Sequence, residues 1–230
     1  MPTHILHKES LIPGKTSKLI LHAPHIAQKA HPGHFVMLRM TPTGERIPLT
    51  IADTDAANGT ITIVYLVLGK STALLETLKE GDAILDVCGP LGHPTHIEKN
   101  DTVICVGGGT GIAAMHHIAK GHSRAGNRVV GIIGARSKDL LLFEKELSSF
   151  ANELLISTDL AARGLDIEDV DYVIHLDLPE DVRTYRHRAG RTARAGKEGA
   201  VISLVDEREL DKLKALAARM EIELTRLPRA

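Results

Sequence analysis

The chain has 230 residues, 43% apolar and 25% charged, enough for one large domain or two of ordinary size with real hydrophobic cores. Lys+Arg number 28 against Asp+Glu 29, which excludes a globally basic coat protein and confines any nucleic-acid site to a local patch. The totals hide a seam. Residues 1–152 hold 5 Arg, 10 Lys and 11 His, whereas residues 153–230 hold 10 Arg, 3 Lys and 2 His. Arg and Lys serve phosphates and carboxylates differently, so a switch of this size points to two sources of sequence.

Up to residue 97 the pattern is short and strand-like, over 17–22, 34–39, 60–67 and 83–87, with turn residues between and one helix expected at 71–78. This predicts a small antiparallel β-barrel. From Asp101 the rhythm changes to alternating strands and helices: strand 102–106, helix 111–125, strand 128–133, helix 137–150, then strands 153–157, 171–176 and 199–205 and an amphipathic helix 207–220. That alternation predicts a doubly wound α/β domain with a parallel sheet. The expected division is a barrel at 1–97 and a hybrid α/β domain at 98–230.

Cys88 and Cys105 each sit in an apolar run and read as buried thiols in a reducing compartment; two thiols exclude a four-cysteine iron–sulfur or zinc site built by this chain. No metal site is expected. The adjacent His116 and His117 point in different directions on a helix, so structural or solvent-facing roles are expected for them. With neither a signal-peptide core nor an apolar run of membrane-span length, the sequence predicts a soluble, cytoplasmic protein with no membrane association.

Val103 to Ala113 reads as a buried strand entering the cluster Gly107-Gly108-Gly109-Thr110-Gly111, which opens a helix. Glycines there let backbone approach a pyrophosphate, whose charge meets helix N-terminal amides. Four further segments accompany it: Pro32 to Val36, Glu45 to Asp53, Val67 to Thr72 and Gly89 to Gly92, with Gly134-Ala135-Arg136-Ser137-Lys138 after the next strand. On these residues, 1–152 resembles the flavin- and nicotinamide-binding subunits of the ferredoxin reductase superfamily, especially the alpha subunit of sulfide dehydrogenase or ferredoxin:NADP oxidoreductase and the dihydroorotate dehydrogenase electron-transfer subunit.

The resemblance implies FAD and NAD(P)H as cofactors. Arg46 would meet the flavin pyrophosphate, Pro48, Leu49 and Thr50 would lie along the isoalloxazine, and Gly69, Ser71 and Thr72 would start a helix holding phosphate oxygens. Gly107, Gly108, Gly109, Thr110 and Gly111 would cradle the nicotinamide dinucleotide, with Gly134, Arg136 and Ser137 beside its ribose or 2′-phosphate. It also implies an electron-transfer partner subunit. The family's cysteine cluster is not in this sequence, so no iron–sulfur transfer is expected.

Residues 153–230 resemble a different family. Leu155 to Ile167 is similar to the fifth motif of DEAD-box RNA helicases and Tyr185 to Gly196 to the sixth, with Tyr172 to Pro179 as the strand between. This implies that Arg191 and Arg194 reach the ATP γ-phosphate as arginine fingers, with Arg188 in the same motif, that Asp166 approaches ribose, and that Thr158, Asp159 and Gly164 touch RNA backbone. No P-loop occurs, because Gly69-Lys70-Ser71 has Val64 where the first glycine should stand, and no Asp-Glu-Ala-Asp occurs. ATPase or helicase activity is therefore not expected.

Together these features describe a chimera, joined at a strand that both families share. The leading expectation is a flavin-dependent oxidoreductase module, impaired by replacement of its native C-terminal part. The alternatives are a helicase-derived fragment that binds RNA weakly, and a recombined or designed chimera that folds without activity.

Overall fold

A computed structural model describes residues 2–157, 170–175, 177–193 and 198–227. The chain forms two compact units, Met1–Arg163 and Gly164–Ala230.

The first unit opens with β1 (Thr3–Ile12), β2 (Thr16–His22), the short helix α1 (Pro24–Ala27), β3 (Phe35–Arg39), β4 (Ile47–Asp55), β5 (Thr60–Leu66), helix α2 (Lys70–Thr77), β6 (Ala83–Ile84) and β7 (Asp86–Leu91). The strands pair in the order β6-β1-β2-β5-β4-β3-β7. Only Leu85 separates the two edge strands along the chain, so the sheet curls into a nearly closed antiparallel barrel. Ile61, Ile63 and Tyr65 on β5 alternate inward, and with Leu19, Leu21, Val36, Leu38 and Ile51 they fill the barrel. Val64 and Ala52, on the outer face, belong instead to a second core.

That second core lies over β8 (Thr102–Gly108), α3 (Gly111–Arg124), β9 (Arg128–Gly134), a 3-10 turn (Lys138–Leu140), α4 (Glu144–Ser148) and β10 (Glu153–Ser157). The strands form a parallel sheet in the order β10-β9-β8. Ile112, Ala113, Met115 and Ala119 of α3 pack with Cys105, Val129 and Ile133 of this sheet, and with Ala52 and Val64 of the barrel wall. The barrel and this sheet are therefore parts of one compact unit, and the divide expected at 97 falls inside it. β10 carries the first helicase-like residues yet pairs in register with β9, Glu153 opposite Val130 through Ser157 opposite Gly134. The joint between the two sequences thus lies within a hydrogen-bonded sheet.

The second unit holds β11 (Tyr172–His175), α5 (Val182–Ala189), β12 (Ala200–Ser203) and α6 (Leu210–Met220). β11 and β12 pair in parallel, Tyr172 opposite Ala200. Leu178, Tyr185, Leu213 and Leu216 form its core. Parallel strands with helical crossovers are present as expected, but among the described residues they make two sheets and not one continuous sheet. Val201 of β12 packs against the second unit's core, while Tyr172 and Ile174 of β11 are exposed.

Two local expectations change, and a third resolves to the structural one of its two alternatives. The helix expected over 137–150 is interrupted, because Phe143 adopts a left-handed φ of 59° and divides it into a 3-10 turn and a five-residue helix. Cys105 is buried, but Cys88 is exposed on β7, where the other strand residues are only half-buried. His116 and His117 are both buried, so neither faces solvent. No described helix is long and apolar enough to cross a membrane.

Candidate functional site

A cavity of about 260 Å³ opens where the barrel wall meets the start of α3, lined by Pro48, Leu49 and Thr50 of β4, Val64, Tyr65 and Leu66 of β5, and Thr110, Gly111, Ala113 and Ala114. The β pleat places Pro48 and Thr50 on the exposed face of β4, while Leu49 also packs against the barrel core. Two groups of residues singled out far apart in the chain, 48–50 and 110–111, thus share one wall. Its size suits a ring system more than a whole dinucleotide, and lies at the small end of ligand sites generally. The sequence pattern did not single out Val64, Tyr65, Leu66, Ala113 or Ala114. Their one signal was position, three to five residues before Gly69 and two to three after Gly111.

Beyond the cavity, residues 45–46 and the start of α2 are tied together. The Ser71 hydroxyl donates to Glu45 Oε2 at 3.1 Å, which brings the loop carrying Arg46 beside the N-terminus of α2. Thr72 Oγ1 accepts from the backbone N–H groups of Leu68 and Gly69 at 3.0 and 3.1 Å, satisfying donors that a helix start otherwise leaves orphaned. A Cβ built on Gly69 meets nothing within 4 Å, and its φ of −134° is open to any residue. Neither packing nor backbone strain requires glycine there, which fits a position kept clear for close approach. The Arg46 guanidinium is about half exposed, with Nη2 3.7 Å from Asp86 Oδ2, a carboxylate that Arg39 grips more tightly through Nε at 2.8 Å. Arg46 is therefore the loosely held cation of the pair.

The glycine cluster lies at the C-terminal ends of β8 and β9, where open parallel sheets take ligands. Gly108 pairs with Gly134, and the Gly109 N–H donates to Gly134 O at 3.3 Å. Gly109 has a φ of 53°, so the turn itself selects it. At Gly107 packing favours glycine, since a Cβ there would stand 3.2 Å from Ile112 Cα and from Met115 Cε, a tight approach. Gly111 faces open space. Arg136 is exposed on the turn after β9, and Ser137, which precedes the 3-10 turn, holds the Asp139 carboxyl below its usual range by a side-chain hydrogen bond.

Three side chains of α3 fasten this loop to β4. A bulge between Ile51 and Asp53 inserts Ala52 into the strand and turns carbonyls out of the ladder. His117 Nδ1 lies 3.1 Å from Ile51 O, His116 Nδ1 lies 3.1 Å from Ala52 O, and Lys120 Nζ lies 2.5 Å from Asp53 Oδ2. A carbonyl only accepts, so each imidazole carries its hydrogen on Nδ1. Burial pushes both histidines below the usual histidine range, and the hydrogen bonds to Ala52 and Ile51 offset part of it. No group of three or more potential metal ligands occurs among the described residues.

In the second unit Arg183, Arg186, His187 and Arg188 lie exposed along α5, which Asp181 caps by accepting from Thr184 N–H at 2.7 Å. Arg188 Nη1 lies 3.4 Å from Asp177 O and Arg191 Nη2 lies 3.2 Å from His187 Nε2. Thr158, Asp159, Gly164, Asp166 and Arg194 lie outside the described residues.

Residues 97–196 match the helicase conserved C-terminal domain. The chain is 46% identical over 142 residues to the electron transfer subunit homolog of dihydroorotate dehydrogenase B from Thermotoga maritima, covering 62% of this chain and 50% of that protein. It is 31% identical over 180 residues to the dihydroorotate dehydrogenase B electron transfer subunit of Geobacillus kaustophilus, covering 76% of this chain and 69% of that one. A DEAD-box ATP-dependent RNA helicase of Bacillus cereus is 53% identical over 74 residues, 32% of this chain and 19% of the helicase. Among solved structures, the NADH-dependent reduced ferredoxin-NADP oxidoreductase aligns with a TM-score of 0.64 and 43% identity, over 68% of this chain and 59% of that one. The chain spans about half the length of the Thermotoga relative. Two parentages are thus present in one chain, and the helicase match begins upstream of the compositional seam at 152.

Proposed function

Since the chain belongs to the family of dihydroorotate dehydrogenase B electron transfer subunits and carries a DEAD-box helicase-like tail, we propose that it is a flavin-dependent oxidoreductase module exchanging electrons between NAD(P)H and FAD. The observation that carries this reading is the cavity shared by Pro48 to Thr50 and Thr110 to Gly111. A bound flavin supplies reversible hydride acceptance from nicotinamide.

The chain's own residues bind and orient. Pro48 and Thr50 would face the isoalloxazine, with the Thr50 hydroxyl available to a ring nitrogen, while Val64, Ala113 and Ala114 keep that wall apolar. Arg46 and the first turn of α2 would hold the pyrophosphate by charge and by amide donors. Gly107 to Gly111, with Gly134, Arg136 and Ser137, would take the nicotinamide dinucleotide at the sheet's C-terminal edge.

Residues after β10 are helicase-like where the ferredoxin reductase pattern continues with nicotinamide-side elements, so NAD(P)H oxidation should be slower than in the full-length relatives. Electrons would leave to a partner subunit. The deciding experiment reconstitutes the purified chain with FAD, records its visible spectrum, and follows bleaching by NADH and NADPH. A retained flavin band supports the reading, and a colourless protein overturns it.

The exposed arginines of α5 favour a second activity, weak binding of single-stranded RNA by the tail. Binding that weakens steeply with salt supports it, and indifference to RNA at low salt overturns it.

A further inference from the structure

Tyr65 has two sides with different surroundings. On one side its strand walls the cavity beside Thr50 and Gly111; on the other its side chain is buried in the barrel core and its hydroxyl donates to Glu76 Oε2 at 2.6 Å. Glu76 is the seventh residue of α2, the helix whose other end carries Gly69, Ser71 and Thr72. Burial and the Glu76 carboxylate together push the Tyr65 phenol well above its usual range, so it remains a protonated donor. Hydrogen bonds from Tyr65 and Ser17, with the Lys8 ammonium nearby, hold Glu76 low although burial opposes this, so it remains a charged acceptor.

Lys8 completes the anchor. Its Nζ lies 3.4 Å from Glu76 Oε2 and donates to the carbonyls of Glu76 and Leu78, the latter at 2.9 Å. It thereby closes the C-terminal end of α2 with a cation, which the helix dipole favours. A two-turn helix has no stability of its own. α2 buries a single side chain, Leu75, so its position rests on that contact, on the Ser71–Glu45 hydrogen bond at its start and on the Tyr65–Glu76–Lys8 cluster at its other end.

We infer that Tyr65 and Glu76 are positioning residues that set the phosphate-facing end of α2 against the ring-binding wall of the cavity. The inference rests on the flavin reading above and deepens it. The cluster touches no phosphate. It fixes the separation between two subsites, so its loss is felt by ligands that bridge them and not by a ligand confined to the ring site.

The test measures dissociation constants for FAD and for riboflavin, which has the ring but no phosphate, on the full chain by flavin fluorescence. Tyr65→Phe keeps the ring and removes one oxygen, and Glu76→Ala removes the acceptor. Each should weaken FAD about tenfold, the scale of a lost charge-assisted hydrogen bond, and leave riboflavin within about twofold. Glu76→Gln still accepts from Tyr65 and should recover most of the FAD affinity. Equal losses for both ligands would mean a general structural role and overturn the inference, as would no loss for either. A wild-type chain that binds neither flavin overturns the flavin reading itself, an outcome seen before any variant is made.

Discussion

The Nδ1 atom of His116 lies 3.1 Å from the carbonyl oxygen of Ala52, the residue that a bulge inserts into β4. The contact joins the helix that begins at the glycine cluster to the strand that carries Thr50. The ring is wedged between Phe143 and Phe150, with centroids 4.9 and 5.6 Å away, so its orientation is fixed on several sides. His117 repeats the contact one residue earlier on the strand. Adjacent helical residues reach adjacent carbonyls because the bulge bends the strand toward them.

Replacing His116 by Ala removes a buried ring and leaves Ala52 O without its partner. The expected cost is about 2–4 kcal/mol, read from urea unfolding of the full chain with an unchanged m-value for the first transition. An unaltered midpoint would show that the contact does not hold α3 to the barrel.

Stability should fall with acid through the same residues. His116 and His117 titrate below 6.5 in the folded chain, so the unfolded chain binds more protons once the pH drops under that value. Their contribution is fully present above pH 6.5 and is lost as the pH falls toward their folded values. In thermal melts between pH 8 and 5, the midpoint should hold above pH 6.5 and decline below it, with a shallower decline in the His116→Gln, His117→Gln double variant. His175 of the second unit, held low by burial and by Arg188, acts in the same direction.

Two glycines of one loop should respond oppositely to substitution. Gly107→Ala forces a Cβ to within 3.2 Å of Ile112 backbone and should destabilise by about 1–3 kcal/mol. Gly111→Val enters open space and should leave the melting temperature nearly unchanged while weakening NAD(P)H binding, measured by titration of the flavin-loaded protein. Equal nicotinamide affinity in Gly111→Val would place that ligand elsewhere.

Arg46→Ala should weaken FAD about tenfold with almost no effect on unfolding. The side chain is 52% exposed and its 3.7 Å contact with Asp86 is a surface ion pair of little worth. Parallel calorimetric and fluorescence titrations check both halves of the expectation.

Leu216→Ala should cost the second unit about 2–4 kcal/mol, because Leu216 is 4% exposed in a small core with Leu178, Tyr185 and Leu213. Hydrogen exchange of the full chain should show faster exchange in α5 and α6 and unchanged protection in the barrel strands.

Alternation and turn residues were enough to reveal most of the barrel, because inward and outward positions on a strand differ in polarity; β5 is the clearest case. β1 and β4 were not legible as strands, since six of the ten residues of β1 are polar and Pro48 with two aspartates interrupts the pattern of β4. The glycine cluster and the exposed Pro48 and Thr50 were legible for a similar reason, as unusual residues at element boundaries. Tyr65 and Glu76 were not, because a tyrosine and a glutamate eleven residues apart meet only after the chain has turned through the loop and along α2.

The sequence by itself determined that two parentages meet in this chain, that one supplies a barrel and a glycine-rich strand-to-helix turn, and that the other supplies an arginine-rich helix. Local composition and motif order carry such facts. Tertiary structure alone decided that β10, the first strand after the joint, pairs in register with β9, that Cys88 is exposed while Cys105 is buried, and that both histidines are internal. Strand pairing, burial and the meeting of distant side chains depend on which surfaces pack together, and neither spacing nor residue type specifies that.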